Sequence, residues 1–279
     1  MLYPLLFVPI RKDMVWGYES WDISCRPREM SVIENGPLAG KTFLEVIRQD
    51  PTAILGSGTR EFPLLIKIIV ANDDLSIQVH PDDGYAAAHG FESGKSEMWY
   101  VLETTGMLII GIKDGISPEE LRNDPMQSLN ELAVKPGDMI DILPGLVHAM
   151  VGGTAVAEIQ QNSDVTFRLY DYGRIGLDGK PRQLHVEHAL AVTDFVGRIP
   201  KRVCESVTTP FFSVTKLKVD GEITQSTKPE SFTVYTCVEG SCAVDTVPLE
   251  CRRSVFLPSG LGRHSLKGSA MLLKTTLGG

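Results

Sequence analysis

Ile77-Gln78-Val79-His80-Pro81-Asp82-Asp83 alternates apolar with polar side chains and stops at a proline, as a short β-strand with one functional face would. Gln78 and His80 are two residues apart and so point to the same side. Downstream, Lys95-Ser96-Glu97-Met98-Trp99-Tyr100 opens a second strand-like run, and Leu143-Pro144-Gly145-Leu146-Val147-His148 places a histidine just after a Pro-Gly turn, at the start of a third. Together the three stretches supply an amide, an imidazole, a carboxylate and a second imidazole. They read as one metal site assembled from several strands inside a barrel, which is a different design from a linear zinc finger.

The rest of the chain supports a β-rich reading. Short strands are expected at Leu64–Ala71, Leu75–Val79, Glu97–Glu103, Met107–Ile112, Met139–Leu143, Ala155–Gln161 and Thr166–Tyr170, punctuated by Gly, Pro and Asp. Such spacing argues for a sandwich or barrel. Helices are expected only at Lys41–Gln49, Ser117–Leu132 and Gln183–Phe195. Ser117-Pro118-Glu119-Glu120 marks the start of the second, with a cap, a first-turn proline and a capping-box glutamate. Leu2 to Ile10 reads as an opening buried strand, too short to span a bilayer and without a cationic leader.

With 279 residues and 43% apolar content, the chain can bury a full core. A first unit is expected over 1–200, a linker over Lys201–Pro210, and a smaller β unit over 211–279. The smaller unit carries faint echoes of the first: Tyr235–Gly240 resembles Tyr100–Glu103, and Phe256–His264 resembles Ile142–His148. Because His264 is the only histidine after His188, metal chemistry is assigned to the first unit. The formal charge is −8 and basic residues are not clustered, which argues against a nucleic-acid partner. An anionic substrate would therefore need locally placed cations. Five cysteines without a CxxC pair argue against a disulfide framework and for the cytoplasm.

Gly137, seven residues, Gly145, two residues and His148 approximate one of the two signature stretches of cupin barrels, and Gln78-x-His80 with a later glutamate approximates the other. The departures, a glutamine in place of a histidine and a long gap before Glu97, match a subgroup. In its Gln78–Asp83, Gly94–Leu102, Pro-Gly-x-x-His and Glu158–Asp171 blocks the chain resembles the class I mannose-6-phosphate isomerases of the short bacterial type. This resemblance implies a mainly β fold of two cupin-like jelly-roll barrels with a few inserted helices. It also implies one zinc ion per chain on Gln78, His80, Glu97 and His148, a catalytic arginine at Arg168, and a phosphorylated hexose as substrate.

Isomerisation moves a proton between neighbouring carbons, and Lys95 and Asp164 are the candidates for that transfer. Lys95 shares a strand face with Glu97, and Asp164, Thr166 and Arg168 would share one in an extended chain. Arg174 is a candidate for the substrate phosphate. Blander roles compete at several positions. Arg168 could be an ion-pair partner of Asp164 or Asp171. His185 and His188, three apart on a helix, could pair on a metal but fit packing better. His89, in the polar Asp82–Lys95 segment, is not assigned as a ligand, Trp16 and Trp21 fit aromatic packing, and Cys237, Cys242 and Cys251 fit buried strand positions. Iron or manganese could replace zinc. The rival functions are a cupin dioxygenase and a phosphosugar-binding bicupin without turnover.

Overall fold

The computed structural model describes residues 2–196, 202–203 and 205–278. Lys201 and Cys204 of the expected linker lie outside them. The chain forms two compact units, one from residues 1–10, 20–68 and 205–279 and the other from 11–19 and 69–204. All the candidate site residues belong to the latter.

That unit is built on two sheets. One has the order Leu129–Ala133, Met107–Ile112, His148–Met150, Ile77–Val79, Phe167–Tyr170. The other places Glu97–Glu103 between Met139–Ile142 and Thr154–Gln161. Their inner faces share one core, with Leu108, Ile110 and Met150 from the first and Trp99, Val101, Ile140 and Val156 from the second. On the outer face of the five-stranded sheet, Ile77, Val79, Phe167 and Leu169 pack with Leu121 and Ala189 of two short helices. Alternation then turns Gln78, His80 and Arg168 inward, which positions the site. The expected barrel does not close: the sheets stack as a jelly-roll-like sandwich.

The strands at Leu64–Ala71, Glu97–Glu103 and Met107–Ile112 have the expected bounds. The helix expected over Ser117–Leu132 does not persist. Its capping box forms as read, but the helix stops at Asn123. Pro125 disfavours helical backbone in Asp124 and cannot donate to the preceding turn. Asp124 instead caps a second short helix, Pro125–Ser128. Leu129–Ala133 then becomes a strand paired with Met107–Ile112. The helix expected over Gln183–Phe195 shortens to Val186–Val192.

In the other unit, the Phe212–Ser226 and Arg263–Leu277 strands pair along their full length. Arg263–Leu277 also pairs with Thr233–Val244. The expected opening strand is broken: Leu5–Leu6 pairs with Ser254–Leu257, Phe7 makes a single bridge to Ile33, and after Pro9 a separate strand, Ile10–Met14, begins. Phe7, Phe43, Phe62, Phe232 and Phe256 meet in one aromatic knot, with linked ring centroids 4.8–5.9 Å apart. Residues 20–68 are therefore tied to the C-terminal strands through buried rings. His264 does not face an open site: its Nε2 lies 2.9 Å from the Tyr235 hydroxyl. No helix among the described residues is long and apolar enough to cross a membrane.

Candidate metal centre

Gln78 sits between two inward-facing neighbours, His148 on one side strand and Arg168 on the other, each directly opposite it in register. Directly opposed residues on antiparallel strands project to the same face, so one row of the sheet presents an imidazole, an amide and a guanidinium. His80, two residues after Gln78, adds the second imidazole. Glu97 comes from the facing sheet, where it is opposed by Ile142 and Gln160.

His80 Nε2 lies 3.5 Å from Glu97 Oε2, and His148 Nε2 lies 3.4 Å from Glu97 Oε1. The Gln78 amide is 3.3 Å from His148 Nε2. Exchanging the amide oxygen and nitrogen of Gln78, which are assigned from hydrogen bonding, would turn its acceptor toward the group. Donor atoms about 2.1 Å from a tetrahedral ion stand roughly 3.4 Å apart, so this spacing suits zinc.

Both imidazoles are held in the tautomer that a metal requires. His80 Nδ1 lies 2.8 Å from the Val165 carbonyl and His148 Nδ1 lies 2.8 Å from the Leu146 carbonyl. Each Nδ1–H donates to the backbone and leaves Nε2 bare. Burial favours the neutral rings. It takes His80 down to about 3, helped by the Lys95 charge and opposed by Glu97, and it also lowers His148. Burial alone would raise Glu97, but the Lys95 ammonium 2.6 Å away outweighs it and holds the carboxyl well below its ordinary range. Neither Glu97 oxygen accepts a well-aligned hydrogen bond. A fully buried carboxylate with unused lone pairs, facing two bare imidazole nitrogens, fits a divalent cation.

Lys95 enters the same cluster. Its Nζ is 2.6 Å from Glu97 Oε2, 3.2 Å from His80 Nε2 and 3.8 Å from Glu158 Oε1. Glu158 was not singled out from the sequence, although it is a charged residue in an otherwise apolar strand. The Trp99 indole donates to its Oε2 at 2.8 Å, and the same ring meets His148 edge-on. One tryptophan therefore orients a carboxylate and packs a ligand.

The motif residues around these groups act as braces. Gly94 approaches the Pro81–Asp83 backbone so closely that a Cβ would lie 2.4 Å from the Asp82 carbonyl carbon. Lys95 N–H then donates to Pro81 O, and Gly94 N–H to Asp83 Oδ1. Gln161 reaches Asp83 with its amide nitrogen and accepts from Ser96 N–H. At the other ligand, Gly145 takes a positive φ of 85° and its N–H donates to His80 O. The Pro-Gly turn thus ties the two histidines together.

Arg168 is half-buried, and its Nε makes no hydrogen bond. Burial and the neighbouring Arg182 charge lower its pKa, with Asp171 opposing. Asp171 itself is bound by Arg182 at 3.0 Å, so the ion pair considered for Arg168 is made by a different arginine. Asp164 is exposed and precedes the strand, which begins at Phe167, so alternation does not align it with Arg168. Arg174 donates to the Asp74 carbonyl at 2.6 Å and lies 3.8 Å from Asp73 Oδ2. His188 stacks on Phe167 and meets the Tyr85 hydroxyl, while His185 Nδ1 accepts the Arg168 N–H. These two histidines are packing and bracing residues. His89 stacks on Tyr85.

A family model described as phosphomannose isomerase type I, catalytic domain, matches residues 9–101. The chain is 33% identical to a mannose-6-phosphate isomerase of Bacillus subtilis over 96% of each chain. It is 36% identical to a mannose-6-phosphate isomerase of Streptococcus mutans, covering 93% of this chain and 83% of that one. Its fold is similar to the crystal structure of the mannose 6-phosphate isomerase from Bacillus subtilis, with a TM-score of 0.87, 30% identity, and 98% and 99% of the two chains covered.

Proposed function

Since this chain belongs to the mannose-6-phosphate isomerase family, we propose that it interconverts mannose 6-phosphate and fructose 6-phosphate in the cytoplasm, with one zinc ion held by Gln78, His80, Glu97 and His148. The observation that carries this reading is the convergence of His80, Glu97 and His148, whose ligand atoms all lie within 4.8 Å of one another. Inward placement of Arg168 beside Gln78 supports it.

The reaction removes a proton from the carbon next to a carbonyl, and negative charge builds on the two sugar oxygens. Bound zinc would supply Lewis-acid polarisation of those oxygens. Arg168 stabilises the developing charge: its guanidinium remains cationic, and its unbonded Nε offers a donor already desolvated at the face beside Gln78. Lys95 carries the proton between the two carbons. To accept it the amine must first be neutral, and Glu158, whose Oε1 lies 3.8 Å from Nζ and which is not a metal ligand, is the carboxylate placed to take the ammonium proton. Asp164 is the second candidate for this role. Arg174 takes the substrate phosphate, through an Nη1 that has no hydrogen-bond partner.

The test is metal analysis coupled to a fructose 6-phosphate assay on the protein as isolated, after chelation, and after zinc is restored. Activity should fall with metal content and return with zinc. Full turnover in completely stripped protein would overturn the assignment. The free thiols at Cys25, Cys237, Cys242 and Cys251 suit the reducing compartment we propose.

A further inference from the structure

The C-terminal strands also enclose space. Val219, Tyr235, Leu266 and Leu272 project into one apolar core. Toward one end of the sheet, polar residues replace apolar ones at the same two-residue spacing. Lys274 and Thr276 follow Leu272, Thr215 precedes Leu217, and Thr233 precedes Tyr235. These positions, with Gln225 and Lys228, border a cavity of about 860 Å³. Small-molecule sites typically measure about 300–1,000 Å³.

Two features of the lining point to its ligand. Lys274 Nζ donates to the Gln225 amide oxygen at 2.9 Å, a neutral partner. Among the described residues, neither Lys274 nor Lys228 is ion-paired with a carboxylate. Burial and the neighbouring Lys228 charge lower the pKa of the Lys274 amine, the mark of a cation lacking compensation. In a chain of net charge −8, two lysines without counter-ions at one cavity form a local anion-attracting spot. Around them Thr215, Ser226, Thr233, Thr276 and Gln225 supply hydroxyls and an amide beside apolar surface from Phe211 and Leu277, a mixed wall suited to the hydroxyls and carbon faces of a polyol or sugar.

We propose that this cavity is a second small-molecule site, which takes the phosphate monoester of a polyol or sugar with its dianion between Lys274 and Lys228. Its lining contains no histidine or cysteine and a single carboxylate, Glu230. The site binds without metal or acid–base chemistry of its own.

The experiment is calorimetric titration of the full, metal-bound protein with glucitol 6-phosphate, a probe without a carbonyl that cannot be isomerised. Wild-type protein should bind one equivalent whose affinity drops about tenfold or more in Lys274→Met, as expected for loss of a charge-assisted hydrogen bond. Any equivalent bound at the metal centre should be unchanged, and so should isomerase turnover. Lys228→Met, at an exposed position that cannot disturb the core, should show the same loss. It decides the matter if Lys274→Met fails to fold. Isotherms identical in wild-type protein and the lysine variants would overturn the proposal, as would glucitol binding as tightly as its phosphate ester.

Discussion

Arg168 and Gln78 stand directly opposite one another on neighbouring antiparallel strands, so the proposed catalytic cation and the neutral metal ligand share a cross-strand pair. Their separation is set by the sheet, not by a loop. Arg168→Ala should therefore lower turnover by about 10²–10³ while leaving the metal in place. Metal content and fructose 6-phosphate turnover, measured on the same sample, check both halves. Near-normal turnover with zinc bound would remove the catalytic role.

Lys95 and Glu97 form a buried ion pair at 2.6 Å. Glu97→Gln should abolish stoichiometric metal binding and leave buried Lys95 with only the more distant Glu158 carboxylate, 3.8 Å away, at a cost of up to about 3–5 kcal/mol. Urea unfolding of metal-free protein reads the second effect. Adding Lys95→Met to Glu97→Gln should recover much of the lost stability, and no recovery would contradict a charge-pair origin.

Trp99→Phe keeps the edge-on ring against His148 but removes the indole donor to Glu158. We expect the metal to be retained, turnover to fall, and stability to drop by about 1–3 kcal/mol for the buried carboxylate left short of a donor. Unchanged turnover with unchanged stability would show that Glu158 does not need this bond.

Acid should act on the metal-free fold through the histidines. His80 is depressed to about 3 in the folded protein, against about 6.5 when unfolded. Between those values the unfolded chain binds the extra proton. The His80 contribution is therefore complete above about pH 6.5 and is lost as pH falls toward 3. Asp22 and Asp141, raised to about 7 and about 6 by burial, act in the opposite direction over part of that window. Comparison with His80→Gln isolates the histidine part. Imidazole resonances of His80 that titrate near pH 6.5 would contradict the assignment.

Gly94→Ala should be far more damaging than its surface-loop sequence suggests, because the new methyl would collide with backbone at Asp82 and Asp83. The chain must shift at Lys95, so destabilisation and loss of metal affinity should appear together. A well-folded variant with full metal content would show that the loop adapts.

Much of the site was legible because it rests on period-two alternation and on turn chemistry. Gln78 and His80 share a face as read, and the Pro-Gly turn delivers His148 to a strand start. Glu158 was not legible, since its role comes from Trp99 across a strand pair, and sequence spacing does not reveal register. Asp164 does not share a face with Arg168, because the strand begins only at Phe167 and period-two alternation does not hold before it. The capping signal at Ser117 marks where a helix starts but carries no information on its length, which Pro125 sets by ending it at Asn123. Closure of the sheets into barrels was likewise not decided by strand count, because sandwich and barrel share the same alternation.

Both metal-facing imidazoles are anchored through main-chain carbonyls, those of Val165 and Leu146. Such anchors are supplied by any residue type at positions 165 and 146. The choice of ring nitrogen therefore rests on the path of the main chain, and the side chains at those two positions matter to it only through the packing that holds that path in place.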